Sequence, residues 1–308
     1  DGTMGFPVLP SYTSAGGSLS VSGNTVTGTD NNGKAYSIEF NTSGKMTSWT
    51  YDGKNLINAG PDFNSYRKVD NDRGFSPSFS NSSSLSITGA LAKSGNNATM
   101  SVKGSATGCS YTINYTFYPD GTVDMNVKFS PSQSLARIGL GMQFASGFEN
   151  VEFYARGPRS NYSDRKTGSY LGRFTTTVDD MVDEMIHPQT FGDHEDMREL
   201  ILTNKASNVQ IGIKAGGRAS FSLSHYDETK WCTSGDSMWN TKLHWYDLTR
   251  NPQVYAHFDY MQRGLGNNSC GGDSCLSDYM CPFSSWNSNY GYTLRFTPQA
   301  GGNVQITE

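Results

Sequence analysis

The sequence predicts an all-β fold, a large antiparallel β-sandwich, and three observations predict it. Short segments of alternating apolar and polar residues recur along most of the chain, Asn-Gly and Asp-Gly pairs punctuate them, and no stretch sustains a helical period beyond two or three turns. Composition agrees, since 34 glycines and only 17% charged residues in 308 suit many short strands joined by turns. No internal repeat or interior linker interrupts the rhythm, so one domain is expected over residues 18–308.

Residues 1–17 carry Pro7, Pro10, Gly16 and Gly17 with little periodicity and read as a linker or tag remnant. The strands SLSVS, TVTGT, AYSIEF and MTSWTY follow, separated by turns at Asp30–Lys34 and Asn41–Lys45 and closed by Asp52–Lys54. Asn-Gly and Asp-Gly supply the positive φ of tight hairpins, and Tyr36, Ile38 and Phe40 against Ser37 and Glu39 make a half-buried strand. After a loop through Tyr66–Gly74, strands are expected at SLSITGALAK, ATMSVKGSA, CSYTINYTFY, TVDMNVKF, ARIGLGMQF, ENVEFYAR, LILTN, VQIGIKA, SFSLSHY, QVYAHFDYM and YGYTLRFTP. In Val178–Ile186 the apolar residues Val178, Met181, Val182 and Met185 fall at helical spacing. The segment reads equally as a short helix or as an irregular piece laid over the sandwich, because Pro188 and Thr175–Thr177 confine it.

A net charge of -4 without a Lys/Arg run excludes a nucleic-acid footprint and an anionic membrane surface. No window approaches the about 18 apolar residues of a membrane span. The first residues are neither a signal peptide nor an initiating Met, so the chain reads as cut from something longer. Five cysteines, Cys109, Cys232, Cys270, Cys275 and Cys281, are an odd number and leave at least one thiol free. Their spacing does not suit zinc, though it admits a Cys275–Cys281 bridge.

The densest polar stretch is Phe153–Arg165, where Arg156, Arg159, Asn161, Tyr162, Asp164 and Arg165 crowd a loop broken at Gly157-Pro158. Glycoside hydrolysis would need two flanking carboxyl groups. Asp164, Asp179, Asp180, Asp183, Glu184, Asp193, Glu195, Asp196 and Asp259 are candidates, but none sits in a motif for that role, and they read as solvated or salt-bridged. The run Gly192–Glu199, with His194 among Asp193, Glu195 and Asp196, lacks metal-ligand spacing and reads as a charged loop; Asp70, Asn71 and Asp72 read as a turn. Trp231, Trp239, Trp245 and Trp286 could stack on sugar rings or line the core. The glycine-rich Arg263–Gly272, around Asn267, Asn268 and Cys270, is a tight turn or a loop whose backbone approaches a ligand.

Taken together, five stretches resemble the small-chain domain of family-2 β-galactosidases, in that family's order. YRKVDNDRG at Tyr66–Gly74 is similar to its arginine and DND turn, and Tyr154–Phe174 to its GRGPxENYxDR segment. His187–Leu202 is similar to RPQENGxxxDVRWL, Ser224–Lys230 to an ALHY-type motif, and Asp259–Gly271 to the DYxQxGxGGDDSWG loop. The resemblance implies a β-supersandwich of the galactose mutarotase-like kind. It further implies that this domain is the C-terminal one, with no catalytic residue of its own. The catalytic glutamates and the Mg and Na ions would belong to a TIM-barrel domain, in the same chain or a large subunit, whose galactoside site this domain closes. Cys270 stands where the family's sugar-facing tryptophan lies, so Cys270, Asn268 and Asn267 are the implied substrate contacts and no metal or cofactor is expected here. Arg156, Tyr162, Asp164, Arg165 and Arg198 are the implied structural rim, with a buried ion pair among its arginines and aspartates. Ser160, Thr190 and Phe191 depart from the family's Glu, Glu and Asn.

Two other readings compete. The surplus of Trp and the lost carboxylates suit a sandwich that binds glycans on its own. A mutarotase-like epimerase would need a His–Glu acid/base pair, for which His225 and His257 are available but no Glu partner is evident. Low charge and abundant Ser, Thr and Asn favour an exported bacterial enzyme.

Overall fold

The computed structural model describes residues 5–67, 83–133, 135–232, 243–262 and 290–301, without the side chains of 231 and 232. A first sheet is a meander of five antiparallel strands: β1 (Ser18–Ser22), β2 (Thr25–Thr29), β3 (Ala35–Phe40), β4 (Met46–Tyr51) and β5 (Lys54–Asn55). Its last hairpin turns on Asp52 and Gly53, with φ of 50° and 73°, the consecutive positive values that a right-twisted two-residue hairpin requires.

The remaining strands are β6 (Ile57–Asn64), β7 (Ser84–Ser94), β8 (Asn97–Ala106), β9 (Cys109–Phe117), β10 (Val123–Pro131), β11 (Arg137–Phe144), β12 (Asn150–Gly157), β13 (Tyr170–Thr177), β14 (Glu199–Asn204), β15 (Val209–Gly217), β16 (Ser220–Ser224), β17 (Val254–Gln262) and β18 (Gly291–Ala300). Nine build the large sheet, in the order β13-β12-β14-β15-β18-β10-β9-β8-β7; four build a small one, β16-β17-β11-β6. All paired neighbours are antiparallel, so this is the expected large all-β sandwich.

Register explains the core. Cross-strand partners share a face, and one row of partners crosses eight strands of the large sheet as Phe174, Phe153, Leu200, Ile213, Phe296, Val123, Phe117 and Ala98. Both smaller sheets pack on that face. Trp49 of β4 meets Phe296 edge-on, with ring centroids 5.8 Å apart, and Phe40 of β3 meets Tyr115 and Phe117. Phe63 of β6 stacks on Tyr111, Phe258 of β17 abuts Phe296, and Phe221 of β16 abuts Phe153.

Three strands, β5, β6 and β13, escape the sequence pattern. β5 continues a stretch read as a turn, β6 carries Gly60-Pro61 and had no strand assigned to it, and β13 is an edge strand, exposed or half-buried along its length, with no alternation. The segment Val178–Ile186 yields only a 3-10 turn at Asp179–Met181, with Val178 and Met181 anchoring it in the core, so the irregular alternative holds. Residues 5–17 have no regular secondary structure but are tied to the sandwich: Gly217 N donates to Pro7 O, Arg295 to Pro10 O, and Tyr12 to Asp120. Cys109 is a buried free thiol on β9; the other four cysteines and their pairing lie outside the described residues or side chains.

Candidate functional site

The described parts of all five motifs converge on Arg137, at the start of β11. Its side chain is 1% exposed. Nε donates to Asp259 Oδ2 at 2.8 Å, Nη1 to Glu228 Oε2 at 2.9 Å and to Tyr66 O at 3.2 Å, and Nη2 to Ser222 Oγ at 3.3 Å. From Glu228 the network passes to Thr190, whose hydroxyl donates to Oε1, and from Thr190 O to the Tyr162 hydroxyl at 3.3 Å. Gln262 Nε2 donates to Asp259 Oδ2 at 3.2 Å, and Ser163 Oγ to Gln262 O at 3.3 Å. Arg67 lies over the Tyr162 ring at 5.2 Å. Tyr66 and Asp259, from two separate motifs, are therefore held by one guanidinium.

Why these elements meet follows from register. Gly139 of β11 pairs with both Asn64 and Asp259, and a Cβ on Gly139 would come within 2.1 Å of Asp259 Oδ1, so only glycine lets β17 lay its carboxylate beside Arg137. The loops beyond are laced by Asn161, which is fully buried. Its Oδ1 accepts from Glu195 N, its Nδ2 donates to Arg156 O and Arg159 O, and its N donates to Asp193 O.

Carboxylates outnumber cations here. Burial, then Glu195 and Asp259, push the Asp193 carboxyl well above the usual range. Burial likewise lifts Asp259, to about 6, against the pull of Arg137. Burial alone would depress the Arg137 guanidinium, but Asp259 and Glu228 outweigh it and keep it charged. His257 Nε2 sits 3.5 Å from Glu228 Oε2, yet burial and the nearby Arg137 hold the ring well below its ordinary pKa, so this contact is made by a neutral imidazole.

The His257 shift has a sign that can be measured. Below its ordinary value of 6.5 the unfolded chain protonates this residue and the folded chain does not, so its contribution to stability is full above that pH and lost as pH falls. Asp193 and Asp259 have the opposite slope, so the variant His257→Gln isolates the effect. The stability gap between wild type and variant should change in the variant's favour by about 1 kcal/mol per pH unit below pH 6.5. Denaturant titrations on either side of that pH check it, and parallel curves would show the histidine to be titrating freely.

The sequence-expected rim residues are placed as follows. Arg156 pairs with Asp196, and Lys166 joins them, 3.1 Å from Glu195 and 3.6 Å from Asp196. Arg198 donates to Asp196 O and Gly5 O. Tyr162 is buried, Asp164 is half-buried, and Arg165 is exposed, lying over the Tyr162 ring and donating to Ser160. The expected buried ion pair is thus not Arg156–Asp196, which keeps solvent contact; among the described residues Arg137–Asp259 is the fully buried one. Nothing in the sequence singles out Arg137, one charge at the head of an apolar strand. That placement is itself the overlooked signal, because a buried charge needs a partner.

Other expectations change too. The 192–199 run is not a solvated charged loop: Asp193, His194 and Glu195 are buried, and His194 packs between Phe153 and Phe221 with Nδ1 on Arg156 O. Thr190, at a family Glu position, donates to Glu228, where a second carboxylate would meet like charge. Trp245 packs on Phe191 and Tyr226; Trp239 and Trp286, the Trp231 side chain, and Asp70, Asn71, Asp72, Asn267, Asn268 and Cys270 lie outside what is described.

The Glu partners not evident in the sequence exist twice, since His225 Nε2 contacts Glu149 and His257 faces Glu228. Each carboxylate is engaged elsewhere: Glu228 by Arg137 and Thr190, Glu149 by the Asp179 backbone N–H at 2.9 Å. Glu149, Asp179 and His225 also offer ligand atoms within 4.8 Å of one another, but the Arg250 guanidinium already holds Asp179 at 2.8 and 2.9 Å.

Comparison with known proteins identifies a family and a fold. A family model described as "Beta galactosidase small chain" matches residues 32–296. The β-galactosidase of Staphylococcus xylosus is 31% identical over 160 residues, 52% of this chain and 14% of that protein. That of Priestia megaterium is 28% identical over 195 residues, 60% of this chain and 17% of that protein. BgaC of Bifidobacterium adolescentis is 25% identical over 256 residues, 77% of this chain and 23% of that protein. The chain spans less than a quarter of these relatives' length. Among solved structures, a galactose 1-epimerase from Lactobacillus acidophilus superposes with a TM-score of 0.50 at 8% identity, covering 90% of this chain and 95% of that one, a likeness of fold alone. Among the described residues no helix is long and apolar enough to cross a membrane.

Proposed function

Since the chain belongs to the β-galactosidase small-chain family, we propose that it is the non-catalytic C-terminal domain of a bacterial family-2 β-galactosidase, completing a galactoside site whose retaining glutamates and Mg and Na ions reside in a TIM-barrel region. Loop 264–271 lines that site, with Cys270, Asn268 and Asn267 toward the sugar. What carries the reading is the convergence of five motifs on Arg137, because a guanidinium that clamps Tyr66, Glu228 and Asp259 orients the roots of segments 68–82 and 263–289 together. The epimerase alternative is the weaker one, since a carboxylate already held by a guanidinium and a hydroxyl is a poor base. Low charge supports export of the enzyme.

The chain alone should not turn over a chromogenic β-galactoside; turnover abolished by mutating an acidic residue within it would sink the assignment. In the intact enzyme, Cys270→Ala should change kcat/KM by the equivalent of about 1 kcal/mol, as for a pocket contact of that size. Unaltered steady-state constants would remove the loop from the site.

A further inference from the structure

We propose that the groove over the four-stranded sheet binds one neutral, polyhydroxylated ring, a pyranose-sized sugar, seated above Gly141. The groove is built by register. Asp62 of β6, Gly141 of β11 and His257 of β17 form one cross-strand row, and Ala59, Gln143 and Tyr255 form the next. Glycine at the centre of the first row leaves a notch between two polar side chains, and Ala59 keeps the neighbouring floor low. A Cβ built on Gly141 would point into that notch, 3.6 Å from Asn64 Cβ and 3.6 Å from His257 Nδ1. The cavity these residues line with Asp227 and Glu228 is about 250 Å³, below the about 300 Å³ at which pockets for drug-sized ligands begin, so it suits a single ring.

Charge and hydrogen bonding select the ligand. The acidic lining is largely neutralised from within the protein. Lys45 Nζ holds Asp62 at 2.8 Å, Ser83 and the Phe63 N–H hold its other oxygen, and Arg137 holds Glu228 at 2.9 Å. Asp227, the third lining carboxylate, accepts from Thr229 N and Oγ1, so each of the three is already engaged within the protein and hydrogen bonding, more than net field, selects the ligand. What the groove presents is a mixture of acceptors and donors. The Gln143 and Asn64 amides offer both, and a Lys45 ammonium has three donors, of which Asp62 takes one. Hydroxyl groups, which donate and accept at once, satisfy such a lining, and a ring bearing several of them satisfies it at several points.

The inference concerns this chain by itself and stands independently of the role assigned to loop 264–271. Calorimetric titration of the chain with galactose should give saturable heat in the millimolar range, and Gly141→Leu, which fills the notch, should weaken binding by about tenfold or more. Gly141→Ala, whose methyl makes only ordinary contacts, should melt as wild type does and serves as the folding control. If the leucine variant melts early, Gln143→Ala carries the test, and it should lose heat at an unchanged melting temperature. Absence of saturable heat would overturn the proposal, as would heat unaffected in a well-folded Gly141→Leu. Galactosamine binding better than galactose would also overturn it, by showing that the groove selects charge.

Discussion

Replacing Arg137 by methionine is expected to destabilise the protein by about 3–5 kcal/mol, the range found when one partner of a buried ion pair is removed. Methionine follows the stem of arginine and keeps most of its packing, so the loss reports the charge. Asp259 is fully buried and Glu228 nearly so, and without Arg137 both would be left without their cation. The pH dependence identifies the cause. Asp259 already has its carboxyl lifted to about 6, and loss of the guanidinium lifts it further, so the variant can relieve the unpaired charge by taking up a proton. Its deficit should therefore be smallest in acid and widen as pH rises through and beyond that value. Adding Asp259→Asn should recover part of the loss, since the two residues form one pair. Denaturant unfolding of the two single variants and the double variant measures this; a deficit below about 1 kcal/mol, the scale of an exposed ion pair, would remove Arg137 from its organising place.

Trp49→Ala is expected to cost a comparable amount, about 3–5 kcal/mol, through a cavity that the surrounding strands cannot collapse to fill. Trp49 is 1% exposed and joins the first sheet to the large one through Phe296, so the cavity would open between sheets. Trp49→Phe is the informative comparison. The indole Nε1 is buried without a hydrogen-bond partner among the described residues, so phenylalanine loses volume but no polar contact. It should cost well under half as much as alanine. Equal losses from both variants would mean that the indole nitrogen matters in a way the packing does not explain.

Much of the fold was legible in the sequence because strand formation here is local. Alternation places one face of each strand in the core, and Asp-Gly or Asn-Gly turns join neighbours, so most strands were readable within a residue or two at each end. The exceptions have local causes. Gly60-Pro61 lies at a register shift of β6, whose flanking residues Ala59 and Asp62 pair with β11, so the strand forms through pairing and not through its own pattern. In β13 the edge position removes the need for a buried face.

The site was legible only as separate words. The five motifs supply the segments that meet at Arg137, and Arg156 and Tyr162 stand in the segments that Asn161 laces. The burial of Asp193, His194 and Glu195 was not, because a charged run looks solvated until other elements cover it. Nor were the partners of His225 and His257, because Glu149 and Glu228 reach them from other segments. By itself, then, the sequence determined the all-β class, most of the strands and the family resemblance, all of which rest on residues near one another in the chain. Only the tertiary structure decided that Arg137, Glu228 and Asp259 share one buried centre, 91 and 122 residues apart for the two pairs, since such contacts depend on sheet order and register.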